Sequence, residues 1–566
     1  PDQSTMSQTT IIIGAIAAGT ACAASLRRRD ENHNIIMIDK GEFISTAVCG
    51  MPMHLSGEIP GEDSLVVMPP AKFIKLFNID LRLNTEMLSV NAEAKTVLLR
   101  DLIKGEETNV SYDNLVISTG AAPFIPPIKG TEQKMEHVHV LRTLNDMKAI
   151  KASVNREGAG RVGIIGAGYI GLELAESMTE LNKDVTIVEF LPQVMALFDA
   201  DIAQPCAAVL KQKGVKLMLG TACQGLTEKE GVYTLETNNG SVEVDTVMFC
   251  VGVRPATKCL AGTGINLDPR GHVIVDKYLR TNVDSIYAIG DCAAIPHKVL
   301  PTNTPLPLAG PAAAAGRKVA KCIAHGVESM GEGWAGAIGC SIIRLWNFYC
   351  GNVGCTEKML QRAEIPYTVT CSTWFSKVLY HPTPAPHPIH AKALFHADTG
   401  VILGAQAYGP GEGVARRLDV LSAYIQMGAT MDNLIDFEGA YCPPVGAPRD
   451  VVNYLGMVSV EKRDGNEVSL LPSEVTDQVI VDVRTPQEYE GLGHPKNSIN
   501  IPLATLRSRL DELPKGEFVV SCKAGKMSHI AYRMLVQKGY NVKNLNGGWF
   551  SFCRNKPGDC NFKSCV

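Results

Sequence analysis

Short apolar runs alternate with helix-like patterns through the first half of the chain. The runs that predict buried strands are Ile11–Ile13, Ile35–Ile38, Leu115–Ser118, Val162–Ile165, Val185–Val188 and Thr246–Val251. Strands that alternate with helices pair in parallel, so an α/β fold is expected here. Two stretches, Ile11 to Asp39 and Val162 to Glu189, share one order: strand, glycine-rich turn, helix, and a strand that ends in an acid. Because one such unit binds one dinucleotide, two sites are predicted.

The second half of the chain changes in composition. Aromatic residues and prolines become frequent between residues 331 and 455, whereas residues 458–474 are polar. The polar stretch predicts a flexible linker. A compact pattern of apolar runs and helical periods follows from Val475 to about Trp549, and it predicts a separate C-terminal α/β domain.

Composition and charge narrow the functional classes. At roughly 100–200 residues per domain, 566 residues correspond to about three to five domains. The 54 basic and 58 acidic residues give a net charge of −4, so no electrostatic footprint for nucleic acid or an anionic membrane is present. No apolar run has the length of a membrane span and no signal-peptide pattern is found. A cytoplasmic location is therefore expected.

Seventeen cysteines are scattered along the chain without regular spacing. A chain of this size needs no disulfide staples, so most of these thiols are expected to be reduced and buried. Three of them, Cys553, Cys560 and Cys565, lie in the polar tail formed by residues 553–566. They lack the fourth ligand of a typical zinc site, so we expect exposed thiols there and no metal.

The second glycine motif has the spacing of a dinucleotide-binding turn. It follows a strand, opens a helix and contains Gly166, Gly168 and Gly171. The first glycine makes the tight turn, the second lets the backbone approach a pyrophosphate, and the third lets helix and strand pack closely. Glu189 ends the next strand, where a carboxylate accepts a hydrogen bond from a ribose hydroxyl and repels a 2′-phosphate. NADH is therefore expected to be preferred over NADPH.

The first glycine motif, Gly14-Ala-Ile-Ala-Ala-Gly19, departs from the usual pattern at its third residue, and its terminal acid is Asp39. Three later segments support a nucleotide site at this motif: a strand that ends in a turn at Gly120, then Gly252-Val-Arg-Pro255, then a strand that ends in Gly290-Asp291. In this order the chain resembles the flavoprotein pyridine nucleotide–disulfide oxidoreductases over about residues 10–455.

The resemblance implies FAD at the first motif and NAD(P)H at the second, in two Rossmann-like domains. The implied FAD contacts are Gly14, Ala17, Gly19, Asp39, Gly120 and Asp291. The implied domains are FAD-binding over 8–150 and 281–330, NAD(P)H-binding over 151–280, and an α+β dimerisation domain over 331–457.

Cys49 lies where this family carries its redox-active cysteine. Dithiol relatives have a second cysteine five residues later, but position 54 is a histidine here. A lone thiol has to cycle through a mixed disulfide, a persulfide or a sulfenic acid. We expect a nearby flavin and a helix dipole to help keep the thiol ionised.

Single-cysteine relatives include coenzyme A disulfide or persulfide reductases and also NADH oxidases or peroxidases. Peroxide-reducing members carry a histidine where this chain has Ala17, which argues against peroxide chemistry. The chain is most similar to the coenzyme A disulfide reductases. That similarity implies coenzyme A contacts at Arg27, Arg28 and Ser45.

Relatives also direct tyrosines of the partner subunit towards the redox cysteine. Tyr441, in Ala440-Tyr-Cys-Pro-Pro444, matches one such segment, and Tyr380 resembles another. A tyrosine hydroxyl can protonate a leaving thiolate. The resemblance therefore implies a homodimer.

The C-terminal domain, residues 475–552, resembles a rhodanese domain. Cys522 follows an apolar strand and begins the loop Cys522-Lys-Ala-Gly-Lys-Met-Ser528. Such a loop directs backbone N–H groups at one sulfur, and the resemblance makes Cys522 the persulfide carrier. Met527 replaces the usual arginine, with Lys526 beside it.

The sequence thus predicts an FAD-dependent NAD(P)H oxidoreductase that reduces coenzyme A disulfide, coenzyme A persulfide or polysulfide, with a rhodanese domain that handles sulfane sulfur. One alternative is an NADH oxidase that works through a cysteine sulfenate. Another is a flavoprotein whose C-terminal domain only binds a sulfur-carrier partner.

Overall fold

The computed structural model describes residues 7–562. The chain divides into two compact units: residues up to 192 together with 211–339, and residues 193–210 together with those from 340 onward. Both units combine sheets with helices, so the predicted α/β class is confirmed.

Two five-stranded parallel sheets form the first unit. In spatial order their strands are Ile286–Ala288, Asn114–Ile117, Thr9–Ile13, Asn34–Ile38 and Asp80–Arg82 in one sheet, and Lys216–Met218, Asp184–Val188, Arg161–Ile165, Thr246–Phe249 and Val138–His139 in the other. All six apolar runs that predicted strands lie in these sheets. Their side chains are almost entirely buried, because helices cover both faces of a parallel sheet.

The helices of this unit are Ala17–Arg27, Met51–Ser56, Pro70–Phe77, Leu144–Asn155, Tyr169–Glu180 and Ala309–His325. Gly316 lets the first and last of these approach closely, since a Cβ there would stand 2.4 Å from the Ala18 carbonyl oxygen. Within residues 7–562, no helix has the length and apolarity that crossing a membrane requires.

Smaller sheets complete the unit. Two are three-stranded and antiparallel: Thr85–Asn91, Thr96–Asp101 and Glu107–Ser111; and Cys223–Lys229, Val232–Thr237 and Gly240–Val244. The others are the pair Ala121–Pro123 and Val253–Pro255, and the set Val273–Ile274, Ala293–Ile295 and Thr304–Pro305.

An antiparallel sheet forms the first part of the second unit. Its five strands, in spatial order, are Cys340–Leu345, Phe348–Gly354, Ile402–Pro410, Pro388–His396 and Tyr367–Phe375. The accompanying helices are Ala200–Gln212, which begins in this unit, Glu357–Arg362, Gly413–Met427, Met431–Ile435 and Val451–Arg463.

A parallel sheet forms the C-terminal part. Its strands are Ser469–Leu470, Val542–Leu545, Phe518–Ser521, Ile480–Asp482 and Ser498–Asn500, and its helices are Pro486–Leu492, Leu503–Leu506, Lys526–Gln537 and Gly548–Asn555. The α/β pattern therefore begins before Val475, because an edge strand precedes it.

The segment 458–474 is not the flexible linker that its polarity predicts. Its first residues complete the helix Val451–Arg463, and Ser469–Leu470 is a strand. Ser459 and Lys462 donate hydrogen bonds of 2.9 and 2.8 Å to a strand of the antiparallel sheet. These polar side chains form hydrogen bonds with protein atoms, which explains why a polar segment is ordered here.

The predicted tail is also ordered over the part that the structure describes. Cys553 is buried in the helix Gly548–Asn555. Cys560 is buried in a short strand that pairs with Gly493–Pro495. The expectation of exposed thiols is therefore wrong for these two, and Cys565 lies outside the described residues.

Candidate active site

The first glycine turn is too crowded for a side chain at Gly14 or Gly19. Gly14 has φ +107°, and a Cβ on Gly19 would stand 1.9 Å from the Gly14 carbonyl oxygen. The helix Ala17–Arg27 begins directly after the turn with no side-chain cap, whereas Thr143 caps the helix Leu144–Asn155. N–H groups left free at a helix start favour an anion such as a pyrophosphate, so the turn fits the dinucleotide that the resemblance implies.

Asp39 closes this turn from the neighbouring strand. Its half-buried carboxylate accepts hydrogen bonds from the backbone N–H of Ala15 at 2.7 Å and of Gly41 at 2.8 Å. These bonds fix the carboxylate at the edge of the turn, in the position expected for a ribose contact.

Gly120 and Asp291 both lie near Arg142. One guanidinium nitrogen of Arg142 stands 3.1 Å from the position a Cβ would take on Gly120. Burial raises the pKa of Asp291, and the positive charge of Arg142 lowers it. Gly120 and Asp291, two of the residues implied to contact FAD, therefore share Arg142 as a cationic neighbour.

The second glycine turn repeats these constraints. A Cβ on Gly166 would stand 2.5 Å from the Cys250 carbonyl oxygen, and one on Gly171 would stand 2.2 Å from the Gly166 carbonyl oxygen. At Gly168, by contrast, no heavy atom lies within 4 Å of the Cβ position. Gly166 and Gly171 thus meet protein backbone, while Gly168 faces the open space that a pyrophosphate needs.

Glu189 has the same place at the second turn as Asp39 at the first. Its two carboxylate oxygens accept from the N–H groups of Ala167 and Leu191, each at 2.7 Å. The carboxylate is therefore held beside the turn, in the position expected for a contact with a ribose.

Cys49 is exposed and lies in a single helical turn, Val48–Gly50, that leads into the helix Met51–Ser56. The Ser177 hydroxyl, on the helix that follows the second glycine turn, donates to the Pro52 carbonyl oxygen at 2.7 Å. This bond ties the cysteine segment to the nucleotide-binding fold.

His54 occupies the position of the second cysteine of dithiol relatives. It is buried, with Nδ1 2.8 Å from the Ile59 carbonyl oxygen and Nε2 3.1 Å from Lys151 Nζ. No thiol stands at this position to pair with Cys49.

The charges around Cys49 oppose its ionisation. Burial of the sulfur raises the pKa of the Cys49 thiol, the carboxylates of Glu173 and Asp291 raise it further, and Arg142 lowers it. The protein alone thus favours the neutral thiol.

Glu173 and Arg142 were not predicted from the sequence. Glu173 lies on the helix Tyr169–Glu180 among several other polar residues, so no local pattern distinguishes it as a neighbour of Cys49. Arg142 lies in a loop, and no local pattern indicates its proximity to Cys49.

Arg27 does not fit its predicted role in coenzyme A binding. It is 6% exposed. Its guanidinium donates to four backbone carbonyl oxygens, those of Asp30, Glu31, Phe77 and Asn78. A cation saturated in this way holds the fold together and is not free for a phosphate.

Arg28 and Ser45 remain accessible to a ligand. Arg28 is exposed, and its guanidinium lies 6.0 Å from the ring centre of Phe77. Ser45 is half-buried and its N–H donates to the carbonyl oxygen of Ala15, in the first glycine turn, at 2.9 Å. Ser45 therefore lies beside the predicted FAD site.

The two predicted tyrosines lie together in the second unit. The hydroxyl groups of Tyr380 and Tyr441 are 2.8 Å apart, and the residues are 70% and 45% exposed. The hydrogen bond to Tyr380 raises the pKa of Tyr441. Tyr441 therefore stays protonated at neutral pH and retains a proton to donate.

Cys522 is 3% exposed and lies in the loop between a strand and the helix Lys526–Gln537. The N–H of Gly525 donates to its sulfur at 3.2 Å. The loop is fixed from behind, because the Trp549 N–H donates to the Cys522 carbonyl oxygen at 2.8 Å. A Cβ on Gly548 would stand 2.5 Å from that same oxygen. Met527, in place of the usual arginine, points outward and is 46% exposed.

One cluster of carboxylates has the geometry of a cation site. Oxygens of Asp199, Asp201 and Glu357 lie within 4.8 Å of one another. The buried Lys392 Nζ contacts all three, at 3.1, 2.9 and 2.5 Å. The ammonium group already occupies the position between the carboxylates, so the cluster is an internal ion-pair network.

Three family models match this chain. The model of the pyridine nucleotide-disulphide oxidoreductases matches residues 8–316, the dimerisation domain of that family matches 345–449, and the rhodanese-like domain matches 467–555. The predicted dimerisation and rhodanese-like domains are thereby confirmed.

Two curated proteins are similar to most of the chain. A protein named NADH oxidase from Methanocaldococcus jannaschii is 30% identical over 77% of this chain and 95% of its own length. The coenzyme A disulfide reductase of Staphylococcus aureus is 29% identical over 79% of this chain and 98% of its own length.

Two solved structures extend the similarity to the C-terminal domain. Reduced Bacillus anthracis CoADR-RHD is 33% identical, covers 98% of this chain and 99% of its own, and has a TM-score of 0.93. A NAD-dependent persulfide reductase from A. fulgidus is also 33% identical, covers 96% and 99%, and has a TM-score of 0.88. The chain therefore belongs to the pyridine nucleotide-disulphide oxidoreductases, a family of enzymes that implies FAD and NAD(P)H, and it carries a rhodanese domain at its C-terminal end.

Proposed function

We propose that this oxidoreductase reduces coenzyme A disulfide, coenzyme A persulfide or polysulfide through Cys49, and that Cys522 carries sulfane sulfur. The observation that supports this most directly is the pair of cysteines. Cys49 is an exposed thiol in a segment that Ser177 ties to the helix after the second glycine turn, and Cys522 is a thiol enclosed by a loop that directs an N–H group at it.

The cofactor and the residues named here have separate roles in the proposed reaction. FAD, when bound, supplies two-electron transfer between the nicotinamide and sulfur. Asp39 and Glu189 orient the two nucleotides. The Cys49 thiolate attacks the substrate S–S bond: a new bond to Cys49 forms, the old bond breaks, and its electron pair leaves with the outgoing thiolate. Two electrons and a proton then restore Cys49 and release the second product.

Coenzyme A recognition and dimer formation belong to the same proposal. Arg28 and Ser45 are the contacts we propose for coenzyme A, on the strength of the relative that is named for that substrate. We propose a homodimer, as the dimerisation domain implies, in which Tyr380 and Tyr441 of one subunit protonate the leaving thiolate at the other. The cysteines of the described residues are all free, which supports a cytoplasmic location.

A second candidate is an NADH oxidase that works through a cysteine sulfenate, which the name of the Methanocaldococcus jannaschii relative favours. Ala17, where peroxide-reducing members carry a histidine, argues against it. A third is that the rhodanese domain only binds a partner, in which case Cys522 acquires no sulfane sulfur.

The test is anaerobic NADH oxidation against coenzyme A disulfide, coenzyme A persulfide, polysulfide and glutathione disulfide. We expect turnover with at least one of the first three and little with glutathione disulfide. Rapid oxygen consumption without turnover of any sulfur substrate would favour the oxidase instead. Mass spectrometry of Cys522 after exposure to a sulfane-sulfur donor separates the carrier from the binding module.

A further inference from the structure

We propose that Lys523 and Lys526 hold the anionic group of a sulfane-sulfur donor at Cys522, and that aromatic residues outside the rhodanese domain position these lysines. The inference rests on the proposed role of Cys522 as a sulfur carrier. The ligand class is an anionic donor, such as thiosulfate or a persulfide anion.

Lys526 is held on two aromatic rings. It follows Gly525, whose N–H contacts the Cys522 sulfur. Its Nζ lies 5.0 Å from the ring centre of Trp374 and 6.0 Å from that of Tyr454. The two rings are 4.4 Å apart and support each other. A cation within about 6 Å of a ring face is attracted to it, so the rings fix the ammonium group.

Lys523 is held in the same way on the other side of the loop. It follows Cys522 directly, and its Nζ lies 5.7 Å from the ring centre of Phe375 and 5.6 Å from that of Phe550. Phe375 is the neighbour of Trp374 at the end of one strand of the dimerisation domain. One strand end therefore positions both lysines.

The charge of the two lysines is not neutralised within the described part of the chain. Neither is in an ion pair with a carboxylate, whereas Lys543 in the same domain pairs with Glu517 at 3.0 Å. Two unpaired cations in the loop that contains Cys522 favour an anionic ligand at this loop. Met527, the residue after Lys526, lacks the charge of the usual arginine.

Specific contacts join the dimerisation domain to the rhodanese domain. The Cys371 N–H, on the strand of Trp374, donates to Asn546 Oδ1 at 2.9 Å. A Cβ on Gly547, the next residue, would stand 3.5 Å from the Cys371 Cβ. The strand and the rhodanese loop region are therefore packed in register, which fixes Trp374 relative to the loop.

The chemical step is a transfer of one sulfur atom. The Cys522 thiolate attacks the outer sulfur of thiosulfate, a sulfur–sulfur bond to Cys522 forms, and the bond within thiosulfate breaks. Its electron pair leaves with sulfite, so Cys522 persulfide and sulfite are produced with no net change in electrons. The lysines act by holding the charge of the donor.

The test compares alkylation of Cys522 by anionic iodoacetate and neutral iodoacetamide in the full-length protein, with peptide mass spectrometry used to isolate Cys522. Lys526→Met and Trp374→Leu should each lower the iodoacetate-to-iodoacetamide rate ratio about three- to tenfold, as expected for one displaced nearby charge. Trp374→Phe should restore most of the ratio. Lys538→Met, at the other end of the same helix, is the control and should leave it unchanged.

An unchanged ratio in Trp374→Leu would overturn the positioning role, and an unchanged ratio in Lys526→Met would overturn the anion site. A separate assay measures thiocyanate formed from thiosulfate and cyanide. Its KM for thiosulfate should rise in both variants while the limiting rate changes less. If the wild-type protein forms no thiocyanate or labelled Cys522 with any anionic donor, the proposed sulfur-carrier function fails, independently of the alkylation ratios.

Discussion

The guanidinium of Arg554 donates a hydrogen bond of 2.6 Å to Nε2 of His390 and so joins the last helix of the rhodanese domain to a strand of the dimerisation domain. Nδ1 of His390 lies 2.7 Å from the Thr373 hydroxyl, and the ring stacks on Tyr408 with 4.7 Å between centres. The same guanidinium nitrogen lies 3.1 Å from Nδ1, and a cation this close to the ring favours the neutral imidazole.

Replacing Arg554 by leucine should destabilise this contact. The variant leaves a buried imidazole nitrogen without its charged donor, which costs about 1.5–3 kcal/mol. Urea unfolding of the full chain should show an earlier transition for the C-terminal domains. Arg509→Leu, which removes an exposed pair with Glu512, is the control and should shift the transition by less than about 1 kcal/mol. Equal shifts in the two variants would contradict the assigned role of Arg554.

His390 should make stability depend on pH. Burial, and then the charge of Arg554, lowers the pKa of His390 well below its ordinary value. Below about pH 6.5 the unfolded chain binds a proton that the folded chain excludes, so stability is complete above that pH and falls as the pH drops, by up to about 1.4 kcal/mol per unit.

The measurement is urea unfolding between pH 5 and 8 for the wild type and for His390→Gln, which should lose this part of the slope. His529 has the opposite sign, because the hydrogen bond that its ring N–H donates to Glu467 raises its pKa, and its contribution is lost as the pH rises. It is present in both proteins and cancels in the comparison. Parallel slopes in the two proteins would rule out His390 as the source.

Cys49→Ser should retain FAD but lose disulfide reduction by at least about a hundredfold. The glycine turns bind nucleotides independently of this thiol, and serine forms no mixed disulfide. The flavin absorbance of the purified protein and anaerobic NADH oxidation measure the two properties. Cys340→Ser removes another exposed thiol and should behave like the wild type. Near-normal turnover of Cys49→Ser would refute the mechanism.

Glu189→Gln should reduce the preference for NADH about tenfold in kcat/KM, because the charge that accepts from a ribose hydroxyl and repels a 2′-phosphate is lost. Steady-state kinetics with both nucleotides measure the ratio. Glu228→Gln, an exposed residue on the small antiparallel sheet of the same unit, is the control. A wild-type protein that uses NADPH more efficiently would show that Glu189 does not set the preference.

Cys522→Ser should spare the reduction of coenzyme A disulfide and slow the turnover of sulfane-sulfur donors at least about tenfold. The reason is that Cys49 lies in the nucleotide-binding unit, where electrons arrive, while Cys522 lies in a domain without a nucleotide turn. Parallel kinetics on both substrate classes test the division. If polysulfide and coenzyme A persulfide turn over at the wild-type rate while Cys49→Ser is inactive, Cys522 is dispensable.

Strand runs and glycine turns could be predicted from the sequence because their causes are local. A buried parallel strand needs consecutive apolar residues, and glycine suits positions 14 and 166 because the backbone of each turn has a positive φ, +107° and +105°. Arg27 could not be predicted correctly, since its partners Phe77 and Asn78 lie about fifty residues away and no local pattern shows them. A basic residue on a helix looks the same in the sequence whether it faces solvent or carbonyl oxygens.

Contacts between distant residues also explain why the sequence did not predict the structure of 458–474 or the residues around the two cysteines. Lys462 is polar, but its ammonium group donates a hydrogen bond to the Val369 carbonyl oxygen on a strand of the antiparallel sheet. Glu173 comes close to Cys49, and Trp374 and Tyr454 come close to Lys526, only through the tertiary fold, so spacing in the chain does not indicate them. Their roles depend on which surfaces pack together, and composition does not encode that.

The helix Val451–Arg463 extends into the segment that precedes the rhodanese domain. We therefore expect that this domain cannot be replaced on its own by another rhodanese domain. A chimera joined between 458 and 463 would cut that helix, and one joined between 464 and 469 would separate the edge strand Ser469–Leu470 from the helix that leads into it. A foreign rhodanese domain grafted there would also meet Trp374 and His390 without the lysines and arginine that match them. A working fusion would have to exchange the strands Tyr367–Phe375 and Pro388–His396 together with the C-terminal domain, so the two domains are expected to vary as one inherited block.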